Sequence, residues 1–142
     1  MNTDNKTLAD YQQGFDGSLF KCRNFGEHMR VIIKQKDWDT NDFCMWTELN
    51  ETMFSRIKQE TYMPTKRIFA TLCVAMELDM LTVIRLLQFT EINVLQKDEL
   101  LQKYFYVMDN HRGKEIGHCN EILKSLGVKE RDLLGSHYNK TK

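Results

Sequence analysis

The chain has 142 residues, 42% of them hydrophobic, and its twenty Lys and Arg are balanced by twenty Asp and Glu. The apolar share excludes a wholly disordered chain, and the lack of any run of about 18 apolar residues excludes a membrane-spanning helix. With a formal charge of zero, any contact with nucleic acid must rest on a local basic surface rather than on the total.

One proline, Pro64, and seven glycines stand among many Leu, Met, Ile, Lys and Glu, a composition that favours an all-α protein. The start, Met1 to Asp10, is polar and lacks the apolar centre of a secretory signal. Cys22, Cys44, Cys73 and Cys119 form no C-x-x-C pair, so the expectation is reduced thiols used as small apolar residues in a cytoplasmic protein.

Residues 1–24 read as a flexible N-terminal arm, with one short helix about Leu8–Gln13. From Phe25 the pattern changes: Phe25, Met29, Ile32 and Ile33 recur at helical spacing and predict a first helix over Phe25–Gln35. Asp39 or Thr40 caps a second helix through Thr47, with Asp42 in its first turn, where a negative charge suits the dipole. Asn50 caps a third helix through Lys58, with Phe54 and Ile57 on one face. Pro64 breaks the run and opens a fourth helix over about Thr65–Glu77. Asp79 caps a fifth, about Met80–Gln88.

Beyond Thr90 two more apolar stripes appear, Lys97–Asp109 and Ile116–Leu126, the second ended by Gly127. A turn at Glu130–Leu134 and a polar tail follow. These stripes are too apolar to stand alone in water, so they either pack back on the preceding helices or form a homodimer contact. The organisation expected is therefore an arm at 1–24, a helical domain at 25–90 and a C-terminal helical extension at 91–142.

The stretch from Lys36 to Thr65 carries a register of its own. Trp38, the pair Phe43–Cys44, Leu49 with Asn50, the run Phe54-Ser55-x-Ile57, and Pro64 fall in order without a gap. This register resembles the Cro and lambda-repressor type, or Xre-like, helix-turn-helix family, over roughly Phe25–Gln88. The resemblance implies a five-helix lambda-repressor-like core whose third helix enters the major groove of double-stranded DNA, in a bacterial or phage transcriptional regulator, often dimeric. Small Cys44 would let the second and third helices cross closely, Leu49 would plug their corner, and Phe54 and Ile57 would dock the third helix.

By the same resemblance, Glu51, Thr52 and Arg56 occupy base-reading positions, and Ser55 adds a groove or backbone contact. Thr40, Lys58 and Lys66 would meet phosphates, with Lys36 a weaker member of that set. Two departures stand out. Glu48 holds the turn position that the family gives to glycine or asparagine, and Glu60 replaces the glycine after the third helix. Over Phe25–Thr90 eight Lys and Arg face nine Asp and Glu, so phosphate affinity should be modest.

The alternative is a protein-interaction module on the same scaffold, an antitoxin-like or regulatory adaptor. Met45 and Trp46, large residues outside the strict core pattern, either cover a neighbouring helix or form its contact patch. No catalytic motif, metal-ligand set or cofactor loop is read in the chain: His118 and Cys119 are adjacent and point apart on a helix, and the pairs Asp37/Asp39 and Glu130/Asp132 read as caps and turns. Within Tyr104-Phe105-Tyr106 the first two lie on the apolar stripe and are expected in the core.

Overall fold

Helical periodicity and capping residues alternate from Phe25 to the turn at Glu130, and the computed structural model, which describes residues 7–9 and 21–135, is helical accordingly. Its elements are α1 (Phe25–Lys36), α2 (Thr40–Thr47), α3 (Glu51–Arg56), α4 (Lys66–Ala75), α5 (Met80–Leu87), α6 (Glu99–Asn110), α7 (Ile116–Ser125) and a 3₁₀ turn, Glu130–Asp132. No strand occurs among the described residues. The protein is all-α as expected, and each helix lies within two residues of its expected bounds. The arm and its short helix fall almost wholly outside the described residues, and so does the tail from 136 onward.

Short polar side chains set the starts. Asn24, Asp39, Asn50, Thr65, Asp79 and Asp98 each accept from an amide in the first turn of the helix that follows, satisfying donors that have no partner within the helix. At α2 the arrangement is reciprocal: Asp42 N–H donates to Asp39 Oδ1 at 2.8 Å, and Asp39 N–H to Asp42 Oδ2 at 3.1 Å. Asp37 and Glu48 end α1 and α2 in the left-handed region, at φ 57° and 56°. The carboxylates read as caps and turns occupy such places: Asp37 and Asp39 flank a helix junction, and Glu130 and Asp132 lie in the 3₁₀ turn.

α4 is the hub. It packs against α2, α6 and α7, and eight of its ten residues are buried. One hydrophobic cluster runs from Phe25 to Leu134 through all the major helices. Each fully buried Leu, Phe or Met side chain contributes roughly 1.5–3 kcal/mol by leaving water. The stripe Leu101, Tyr104, Val107 and Met108 of α6 lies inside this cluster, so the C-terminal stripes pack back on the preceding helices. Tyr104 is fully buried, and its hydroxyl donates to the Asp132 carbonyl at 2.5 Å; Phe105 is half-buried and Tyr106 exposed.

The chain then returns to α4. The Asn120 amide brackets Leu134, donating to its carbonyl at 3.1 Å and accepting from its N–H at 2.7 Å. Gly135 N–H donates to Thr71 Oγ1 at 3.0 Å, and Arg67 donates to the Gly135 carbonyl. Cys73 and Cys119 are buried, Cys22 and Cys44 half-buried, and none of the four is in a disulfide. Burial raises the Cys119 thiol to about 11, which keeps it neutral. None of the described helices is long and apolar enough to cross a membrane.

Candidate nucleic-acid interface

A helix can present an outer face only if something holds its inner one. α3 has six residues and none is fully buried, so its hold comes from its flanks. On the entry side Thr47 is buried; its hydroxyl donates to the Phe43 carbonyl at 2.7 Å and accepts from Leu49 N–H at 3.0 Å. Glu48 turns the chain through its left-handed conformation, and Leu49, 3% exposed, fills the corner. Asn50 Oδ1 accepts from Met53 N–H at 3.0 Å. On the exit side Ile57 is fully buried, and Phe54 meets the Phe43 ring at 5.0 Å between centroids.

The loop after α3 is seated on α1. Arg30 donates to the Lys58 carbonyl, and Gly26 lies so close to this backbone that a Cβ there would stand 2.3 Å from the Gln59 oxygen. Nothing in the periodicity points to this contact. The one signal is a glycine inside a helix, a residue that weakens a helix unless close approach requires it.

Glu51, Thr52, Ser55 and Arg56 are exposed together on the outer face of α3. Thr40 is half-buried at the first position of α2. Lys58 is half-buried, its ammonium 3.7 Å from the Phe54 ring centroid, a cation–π contact. Lys36 lies 5.6 Å from the Trp38 ring. Lys66 stands apart from the group: its ammonium is 2.6 Å from Asp98 Oδ2, the cap of α6, and this bond holds the Asp98 carboxyl below the usual carboxylate range. The expected set thus divides into an exposed quartet on α3, the half-buried Thr40 and Lys58, and a lysine engaged in joining α4 to α6.

Two residues that sequence reasoning passed over lie beside the quartet. Burial raises the Tyr62 phenol above its ordinary value, while the charges of Arg56 and Arg67 oppose that rise, so both guanidinium groups act on this hydroxyl. The charge of the face is mixed. Burial and, after it, the Glu51 carboxylate raise the Cys44 thiol.

Met45 and Trp46, 63% and 40% exposed, leave the outer side of α2 largely uncovered. They line a cleft of about 250 Å³ together with Glu48, Glu115 and Ile116. His118 points outward from α7 to His111, ring nitrogens 3.3 Å apart, while Cys119 is buried, so the two adjacent residues do diverge. Comparison of the chain with protein-family models, curated proteins and solved structures gives no match.

Proposed function

We propose that the chain is a sequence-specific DNA-binding regulator that reads the major groove with α3, on a core of the lambda-repressor type. One observation carries the reading: α3 is held through Leu49, Asn50, Phe54 and Ile57, while Glu51, Thr52, Ser55 and Arg56 project into solvent on one side. In this reading the Arg56 fork donates to a guanine edge, Glu51 accepts from a cytosine amino group, and Thr52 and Ser55 complete the contact. Thr40 and Lys58 flank the reading face as phosphate donors. Lys66 would reach phosphate only by leaving Asp98. A homodimer would use the outer sides of α6 and α7, where Tyr106 and Leu126 are exposed, because the apolar stripes of both helices are taken up in the core.

The test is selection of bound duplexes from a random library at low salt. Enrichment of one short sequence, lost in Arg56→Ala with about 1–3 kcal/mol of specific affinity, supports the reading. A library that emerges unselected removes it.

A second reading is favoured by Met45 and Trp46: an adaptor, antitoxin-like in use of the scaffold, that docks a protein on α2. The apolar pair with Glu48 and Glu115 around it suits a partner segment that is apolar with a basic flank. Trp46→Ala separates the two, because it would abolish capture of such a partner and leave duplex selection unchanged.

A further inference from the structure

Between α3 and the start of α4 lies a cleft of about 490 Å³, lined on one wall by Thr52, Met53 and Arg56 and on the other by Thr65, Arg67 and Ile68. Its volume falls in the range of small-molecule sites, roughly 300–1,000 Å³. Its chemistry is divided. Met53 and Ile68 give an apolar floor, and Tyr62 adds a half-buried aromatic ring whose position is fixed against Phe25 at 6.0 Å. Two guanidinium groups border this floor, and none of the described residues that line the cleft carries a carboxylate.

That composition is unusual in a chain of zero net charge, whose core region carries more acids than bases. The Arg56 side chain is exposed and makes none of the ion pairs found among the described residues. Arg67 is anchored through its bond to the Gly135 carbonyl, which orients its guanidinium without removing its charge. One exposed and one anchored fork beside an apolar floor recognise an oxyanion attached to an apolar body.

We propose that this cleft binds a small organic anion, its phosphate or carboxylate held by Arg56 and Arg67 and its apolar body laid on Tyr62, Met53 and Ile68. The site uses residues of this chain alone and stands whether or not α3 reads DNA. If α3 does read DNA, an occupant engages Arg56 and acts as an effector that competes with the groove.

The experiment follows backbone amides of the ¹⁵N-labelled full chain during titration with phenyl phosphate, phenylacetate, benzyl alcohol and inorganic phosphate. Phenyl phosphate and phenylacetate are expected to shift Thr52, Arg56, Tyr62 and Arg67, and to bind at least about tenfold more tightly than benzyl alcohol or inorganic phosphate. Arg56→Gln, on the solvent side, should weaken phenyl phosphate by roughly tenfold with the rest of the spectrum unchanged. Arg67→Lys keeps the charge but not the fork, and should weaken it by about half that factor. Equal binding of benzyl alcohol, or binding indifferent to both substitutions, overturns the proposal. So does inorganic phosphate that matches phenyl phosphate, or a short duplex that shifts these amides when no small anion does. Those last results would assign the two arginines to a phosphodiester backbone.

Discussion

Two helices that follow one another in this chain, α3 and α4, are held in opposite ways. α4 has eight of ten residues buried and is stabilised over most of its surface by apolar neighbours. α3 has none of its six residues fully buried and is stabilised at its ends, by a cap, a plugged corner, one buried isoleucine after its last turn and a backbone seat on α1. A helix that leaves one side open to solvent cannot gain much from burial, so its position depends on a few specific contacts. Damage to α4 should therefore appear as lost global stability, and damage around α3 as lost position.

The largest effect is expected in the hub. Leu72→Ala removes a side chain that is 1% exposed and leaves a cavity at the centre of the packed helices. Chemical denaturation should show a loss of about 3 kcal/mol or more, with all helices unfolding together. A loss confined to one part of the chain would break the comparison.

Gly26→Ala should come next, at about 2 kcal/mol, although it adds a helix-favouring residue to a helix. The new Cβ meets the Gln59 carbonyl backbone, which cannot turn away as a side chain would. Amide exchange should accelerate first in residues 51–60, before α4 is affected. A stabilised variant would mean that α3 is not seated on α1.

A third test reads pH. His28, on α1, is fully buried; its Nδ1–H donates to the Asn24 carbonyl at 2.7 Å, and its ring lies 4.7 Å from that of Phe89. Burial, aided by the charge of Arg85, lowers its pKa below the ordinary 6.5, against the opposing effects of the Asn24 bond and Glu27. The neutral ring is therefore the form the fold favours. The stability it contributes is complete above about pH 6.5 and falls as the pH drops from there toward the lowered folded value. His28→Asn, which keeps a donor for Asn24, should flatten the stability profile below about pH 6.5. An unchanged slope would assign the acid sensitivity to other groups.

The fold was legible wherever the signal was local. Asp39, Asn50 and Asp79 are capping residues that stand directly before apolar periodicity, and the helices begin behind them; Asn24 and Asp98 cap their helices from positions assigned to the arm and to the interior of the expected helix. The outward quartet on α3 followed from the same period, because Leu49, Phe54 and Ile57 leave only one side free. What was not legible joins residues distant in sequence: Gly26 against Gln59, Lys66 to Asp98, Arg67 and Thr71 to Gly135. No periodicity encodes such pairs. Lys66 and Arg67 look interchangeable as adjacent cations, yet one joins two helices and the other borders a cleft.

That adjacency supplies the smallest and most discriminating test. The Lys66 and Asp98 side chains are 39% and 26% exposed, so solvent screens their ion pair and Lys66→Ala should destabilise by no more than about 1 kcal/mol. Arg56→Ala, on an exposed face, should change stability by less than about 0.5 kcal/mol. On duplexes selected by the wild-type chain the order reverses. Arg56→Ala loses specific affinity, whereas Lys66→Ala leaves both the affinity and its salt dependence nearly unchanged, because a lysine held by a carboxylate releases few counterions from DNA. A salt slope that falls by about one in Lys66→Ala would show that the ion pair opens on binding. The base of α6 would then join α3 as part of the proposed interface, and the division between a buried hub and an exposed helix would no longer hold at α4.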